Sequence, residues 1–107
     1  MGGFEERERE EEAKFRHQME LAFKIRNRRN KLFGLWIAEE LLGLKGDDAL
    51  AYAKDVVMAD FEGPGDDDVM RKVLKDLEEK GVEISEHRLR RRLEEFEEVA
   101  RQQVMNE

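Results

Sequence analysis

The side chains able to bind a metal ion or carry acid–base chemistry are two histidines, His17 and His87, and many carboxylates. A di-iron site in a helical bundle needs paired Glu-x-x-His elements, but Lys14 and Ile84 stand three residues before the histidines. The sequence also lacks a Gly-rich phosphate loop, a His-Glu-x-x-His motif, a nucleophile elbow and cysteine. We therefore expect a protein that is not an enzyme and that uses no metal and no cofactor.

Three consecutive aspartates, Asp66, Asp67 and Asp68, suggest a calcium loop at first sight. The alternating spacing and the terminal Glu of such a loop are missing. These residues follow Gly63-Pro64-Gly65, a combination that breaks helices. We interpret Asp66 as the N-cap of a helix, with the next two carboxylates near the positive end of the helix dipole.

A basic segment comprises Lys24, Arg26, Arg28, Arg29 and Lys31. Residues 21–45 hold six basic and two acidic residues, a net charge of +4, whereas the whole chain carries −7. Nucleic-acid binding here would need support from a basic domain or from stacking aromatic residues. The rest of the chain is acidic, so we expect no nucleic-acid partner. The segment either pairs with acidic neighbouring helices or contacts a partner protein.

Length and composition indicate one small helical domain. A chain of 107 residues is long enough for one domain, and 44% charged residues with a single Pro favour helices over sheet. The longest apolar stretches fall far short of the roughly 20 residues that span a bilayer, so we expect no membrane insertion. No segment near the N-terminus has the layout of a signal peptide, so we expect a cytoplasmic location.

Four stretches show the 3.6-residue period of amphipathic helices. The first core stretch runs from about Glu20 to Leu44, with Gly43 and Gly46 as predicted stops. Its apolar positions are Leu21, Ile25, Leu32, Leu35, Trp36 and Leu42, widened by Phe23, Phe33, Ile37 and Leu41. The second helix is predicted to begin at Asp47, acting as a cap. The face of the second helix expected to meet the core carries Leu50, Ala53, Val57 and Phe61.

The third and fourth helices have clearer local signals. Gly81 is predicted to end the third helix, and Ser85 to cap the fourth, flanked by Ile84 and Leu89 at the spacing of a hydrophobic staple. The stripe of the third helix is Val69, Val73 and Leu77, widened by Met70 and Leu74. The stripe of the fourth is Leu89, Leu93, Phe96, Ala100 and Val104. Short connections predict an all-α antiparallel four-helix bundle over residues 20–107.

Residues 1–19 have a different character and form a predicted N-terminal arm, flexible or partly helical. Glu5–Arg9, Glu10–Lys14 and Glu12–Arg16 are favourable i,i+4 pairs, worth together about 1 kcal/mol. This hardly offsets the cost of nucleating an isolated short helix.

Apolar residues are sparse in this arm. Phe4 and Phe15 stand eleven residues apart and so share a helix face, which Met19 extends; only Ala13 is apolar between the two aromatics. One aromatic per three turns buries too little surface to fix the arm on its own bundle. The arm is either a solvated extension of the first helix or a segment that finishes folding on a partner.

Several stretches, in order along the chain, resemble one family. They are Phe4-Glu5-Glu6-Arg7-Glu8, Arg28-Arg29-Asn30-Lys31-Leu32-Phe33-Gly34-Leu35-Trp36, Tyr52-Ala53-Lys54-Asp55-Val56-Val57, Ala59-Asp60-Phe61-Glu62 and Gly65-Asp66-Asp67-Asp68-Val69. The chain resembles the zeta subunit, the ATPase inhibitor of the alphaproteobacterial F-type ATP synthase. The long run through the first helix is the most specific, since helix formation does not require that order.

The resemblance implies a function and a partner. Members are four-helix bundles whose N-terminal segment enters a catalytic interface of the synthase head, between the alpha and beta subunits and near the gamma shaft. The segment folds there into a helix and blocks rotation in the hydrolytic direction. The resemblance further implies a cytoplasmic protein peripheral to the inner membrane through the synthase, and we expect a monomer.

Carried over by position, the inhibitory stretch is roughly residues 1–19, with Phe4 and Phe15 as apolar anchors. The residues expected to contact the partner are Phe4, Arg7, Glu8, Arg9, Lys14, Phe15, Arg16 and Met19. A second contact is expected at Arg28, Arg29 and Lys31. The alternative hypothesis is a general helical adaptor whose arm docks on some other assembly.

Overall fold

The computed structural model describes the backbone of residues 2–107 and the side chains of residues 10–107. Its helices are α1 (Gly2–Trp36), followed by a π-helical turn (Ile37–Leu41), α2 (Gly46–Ala59), followed by a 3-10 turn (Asp60–Glu62), α3 (Asp67–Lys80) and α4 (Glu86–Met105). Over these residues the prediction of an all-α bundle of four helices is confirmed. Each helix within residues 2–107 is too short or too polar to cross a lipid bilayer.

The core is built where the four helices meet. α1 packs against α2 and α4, while α3 packs against both α2 and α4. The buried cluster consists of Phe33, Ile37, Val56, Val69, Met70, Val73, Leu77, Leu89 and Leu93. Each such side chain contributes about 1.5–3 kcal/mol relative to an exposed position. The predicted stripes of α3 and α4 are confirmed, since most members lie in this cluster or pack against it and the remaining two, Ala100 and Val104, are buried.

Two predicted helix ends are confirmed by hydrogen bonds. The Ser85 hydroxyl accepts a bond from the backbone N–H of Arg88 at 3.2 Å, as an N-cap should. Gly81 adopts the left-handed conformation at φ 76°, and the N–H of Val82 donates to the carbonyl oxygen of Leu77 at 2.9 Å. This is a Schellman motif, which pairs the last carbonyl groups of α3.

The predicted cap at Asp47 is wrong, whereas Asp66 is confirmed as the N-cap residue of α3 without a capping bond to its side chain. α2 begins at Gly46, so Asp47 lies in its first turn. Asp66 occupies the N-cap position of α3, but its side chain makes no cap bond. Its carboxylate accepts a hydrogen bond from Arg29 at 2.7 Å instead. Both partners of the bond to Arg29 are ionised, whereas a capping bond would come from a neutral backbone N–H, which explains the preference.

The buried face of α2 also differs from the prediction. Leu50 and Phe61, expected to face the core, are 49% and 55% exposed. The apolar residues of α2 that are buried are Ala49, Ala53, Val56 and Ala59. The reason lies in α1, where a Cβ on Gly34 would stand 2.8 Å from the Ala53 Cα and 3.1 Å from the Val56 Cβ. So close an approach of two helices requires small side chains, and α2 therefore turns its alanines inward.

We expect Gly34→Ala to lower the free energy of unfolding by up to about 2 kcal/mol. Ala favours helix by about 1 kcal/mol over Gly, but an added carbon at 2.8 Å forces the helices apart, and overpacking costs about 1–3 kcal/mol. Urea denaturation followed by circular dichroism measures the difference. A gain in stability would show that the two helices do not approach this closely.

Candidate partner-binding surface

The N-terminal half of α1 presents exposed apolar and cationic side chains. Every residue from 10 to 20 is exposed. Phe15 and Met19, one helical turn apart, are 65% and 59% exposed. Lys14 and Arg16, expected to contact a partner, are exposed beside them. The other residues proposed for this contact, Phe4, Arg7, Glu8 and Arg9, lie outside the part whose side chains the structure describes.

Helix length explains why this segment stays exposed. α1 has 35 residues, about 52 Å at 1.5 Å per residue, whereas α2 and α3 have 14 each and α4 has 20, about 21 and 30 Å. The molecule is accordingly elongated, with extents of 66 × 26 × 21 Å. α1 is longer than the helices it packs against, and within residues 10–107 no neighbouring helix covers its residues 10–20.

A partly buried set of charged and polar side chains, the Asp60 clasp, joins α1 to the bundle beyond this overhang. Both carboxylate oxygens of Asp60 accept hydrogen bonds from Arg26, the Nη2–Oδ1 distance being 2.7 Å. The side-chain amide of Asn30 donates to Asp60 at 3.0 Å. Asp60 and Asn30 are both buried, so this carboxylate depends on protein partners in place of water. We define the clasp as Arg26, Arg29, Asn30, Asp60 and Asp66.

The clasp also holds the connection between α2 and α3. Arg26 donates to the backbone carbonyl of Gly65 at 2.9 Å, and Arg29 donates to Asp66. Burial alone would raise the pKa of Asp60, but the hydrogen bonds and charge of Arg26, aided by Asn30 and Arg29, hold that pKa below its ordinary value of 3.8. The clasp therefore fixes α1 to the α2–α3 connection while Asp60 is ionised.

The three arginines of the basic segment have internal partners. Arg28 donates to Gln103 at 3.0 Å and pairs with Glu107, so the interpretation of pairing with acidic neighbours is confirmed for it and for Arg26 and Arg29. Arg29, expected to make a second partner contact, is only 5% exposed, and its guanidinium serves the clasp instead. Lys31 is exposed, and Arg28 is partly exposed.

An exposed aromatic pair lies beside this segment. The rings of Phe23 and Phe61 are 5.9 Å apart and inclined at 44°. Both side chains are more than half exposed, although sequence reasoning placed both in core stripes. The sequence signal that was missed is the spacing of these residues. Phe23 follows Met19 by four residues and Phe15 by eight, so it lies on the same face of α1 and continues their ridge of exposed apolar side chains.

The two histidines, considered first as metal ligands or acid–base groups, lie on the surface. His17 and His87 are both exposed. Among the described residues, no group of three or more His, Asp or Glu side chains is arranged to hold a metal ion. The exposed surface of the N-terminal half of α1 consists of apolar and charged side chains, which suits it to binding a macromolecule.

Comparison with known proteins bears on what that macromolecule is. The family model described as ATPase inhibitor subunit zeta matches residues 1–103. A protein chain of known solution NMR structure is similar in fold, with a TM-score of 0.70 and 52% sequence identity, over 78% of this chain and 94% of that chain. The search of curated proteins returned no match. The family match confirms the resemblance found in the sequence.

Proposed function

Since this chain belongs to the ATPase inhibitor subunit zeta family, we propose that it blocks ATP hydrolysis by inserting residues 1–19 into a catalytic interface of the ATP synthase head. A subunit of this kind is regulatory, so the chain is not an enzyme, and its family associates it with ATP synthase. The interface proposed is the one between an alpha and a beta subunit near the gamma shaft. The protein would then act as a monomer on the cytoplasmic side.

The exposure of Phe15 and Met19 carries this proposal. Two large apolar side chains, each more than half exposed on successive turns of one helix, match the anchors of a helix that docks in a groove. Covering each would contribute about 1.5–3 kcal/mol to binding. Phe4 extends the same face in the sequence, eleven residues before Phe15. The helix therefore offers binding energy that the bundle itself does not use.

Charge and anchorage support the same role. Lys14 and Arg16 are exposed next to the apolar ridge and would meet acidic surface on the head, with Arg7, Glu8 and Arg9 extending the charged contact. At the other end, the Asp60 clasp joins α1 to the bundle through Arg26. If α1 is inserted and fixed in this way, the whole bundle would lie against the head and oppose rotation.

Phe15→Ala and Met19→Ala test the anchors. Each is expected to raise the concentration needed for half-inhibition by about 10- to 100-fold, because about 1.5–3 kcal/mol of apolar burial is lost. The measurement is ATP hydrolysis by the purified catalytic head at increasing inhibitor concentration. Leu50→Ala is the matched control, since Leu50 is 49% exposed and lies on α2, not on the arm. Equal inhibition by all three variants would contradict the proposal.

A further inference from the structure

A shallow groove of about 480 Å³ lies between α1 and the C-terminal part of α2. Its apolar lining comes from Phe23 and Val57. The polar lining residues are Lys24, Asn27, Arg28, Lys31 and Glu107. The groove is thus apolar between the helices and cationic along α1.

The groove adjoins a ridge of exposed apolar side chains. Phe61 packs on Phe23 at 5.9 Å between ring centroids, and Met58, three residues before Phe61, is 62% exposed. Phe23 itself continues the ridge of Phe15 and Met19 at four-residue steps. A contiguous apolar patch larger than about a few hundred Å² on a soluble protein usually marks a contact site. The ridge therefore passes from the arm onto the bundle without interruption.

The charges around the groove indicate what would cover it. Within residues 10–107, Lys24 and Lys31 form no ion pair, while Arg28 is engaged by Glu107. Two cations thus remain available on a chain whose net charge is −7. A partner surface that carries carboxylates beside apolar side chains would complement this face, whereas a basic surface would be repelled.

We propose that this surface, the Phe23 groove, receives an acidic amphipathic helix of the ATP synthase head, so that the bundle makes a second contact beside the inserted arm. We define the surface as Phe23, Lys24, Lys31, Val57, Met58 and Phe61. Apolar side chains of the partner helix cover Phe23, Met58 and Phe61, and its carboxylates reach the two lysines. A groove between two helices accepts the ridge of a third, which is why the occupant is helical.

This inference rests on the proposed function, because the continuous ridge links the two contacts. Phe23 lies one helical turn, about 6 Å, from Met19. A partner that encloses Met19 therefore ends next to Phe23, and the same assembly supplies both contacts. The groove is thus a second part of the proposed interface, in addition to the arm.

The charge test compares two double variants with the same net charge. In K24E/K31E the two groove lysines are reversed, and in K75E/K80E two exposed lysines of α3 are reversed. Binding of the full chain to immobilised catalytic head is followed over a range of salt concentrations. We expect K24E/K31E to associate about 10-fold more slowly at low salt with a weaker salt dependence, and the control to change by less than about 2-fold. Equal rates for the two would overturn the proposal.

The packing test uses a matched pair on one helix face. Leu50 lies in α2, and Phe61 lies eleven residues later in the turn directly after it. Both are on the exposed face of this helix, and they are 49% and 55% exposed. Phe61→Ala is expected to dissociate about 10-fold faster from the head, and Leu50→Ala at the parent rate. Thermal unfolding at the parent temperature confirms that each variant is folded.

Phe15→Ala separates this inference from the proposed function. If Phe15→Ala weakens binding and the groove variants do not, the second contact is refuted and the inserted arm stands. If both sets weaken binding, both contacts are supported. If the parent chain does not bind the head at all, the proposed function and the second contact fall together.

Discussion

A chain lacking residues 1–18 is expected to keep its folded bundle and to lose inhibition. The described residues of this segment, 10–18, are all exposed, and the buried cluster draws on α1 only from Phe33 onward. Their removal should therefore change the free energy of unfolding of the bundle by no more than about 0.5 kcal/mol, as for other surface changes. Inhibition should weaken by at least about 100-fold, since Phe15 and the charged contacts are lost together.

Urea denaturation measures the stability of the shortened protein, and ATP hydrolysis by the purified head, with full-length and shortened protein, measures the loss of inhibition. A synthetic peptide of residues 1–19 is the complementary control. It should inhibit more weakly than the full chain, because an isolated short helix must be nucleated, whereas the arm continues a helix that already exists. Full inhibition by the shortened protein would rule out the inserted arm.

Asp60→Ala is expected to be the most destabilising single substitution outside the apolar core. Removing one partner of a buried ion pair costs about 3–5 kcal/mol, because the other charge is left without compensation. Here about 2–3 kcal/mol is expected, since the Arg26 side chain is 39% exposed and regains water. Asn30 also loses its acceptor, and the α2–α3 connection loses one of its ties to α1, the bonds of Arg26 to Gly65 and of Arg29 to Asp66 remaining.

Two variants delimit that effect under urea denaturation. Asp60→Asn keeps the shape and one acceptor oxygen, so it should cost less than Asp60→Ala. Asp55→Ala removes an exposed carboxylate from α2, five residues before Asp60, and should stay within about 0.5 kcal/mol of the parent. Equal stability of Asp60→Ala and Asp55→Ala would show that the bonds of Asp60 within the clasp contribute nothing.

The same carboxylate determines how stability responds to acid. The pKa of Asp60 is lower in the folded state than its ordinary value of 3.8, so the folded state holds the proton less tightly than the unfolded state. The stabilisation is therefore fully present above about pH 4 and is lost as the pH falls through the lower folded-state pKa. Unfolding measured over this range should show the difference between the parent and Asp60→Ala shrinking toward low pH.

Where the sequence predicted structure correctly, the signals were local. Ser85 and Gly81 act through bonds to residues three to five positions away, and the stripes of α3 and α4 repeat within each helix. The family could also be identified from the order of residues around Trp36, and the family match over residues 1–103 confirms it. Within the arm, the spacing of Phe15 and Met19 was enough to place them on one face.

The features that sequence reasoning missed depend on distant residues. The inward phase of α2 follows from the missing side chain at Gly34, nineteen residues before Ala53. The clasp joins Arg26 to Asp60 across 34 positions. Phe23 and Phe61 were assigned to core stripes because each fits a helical period, yet neither meets a covering helix.

The sequence by itself determined the helical class, two of the helix ends, the family and the sparse apolar ridge of the arm, because each depends on residue type and on neighbours within a few turns. Only the tertiary structure decided which face of α2 is buried, which arginines are used internally and how far α1 overhangs. These depend on how closely two helices approach and where each one ends in space. The periodic pattern of residues along one helix carries no information about how closely a second helix approaches it.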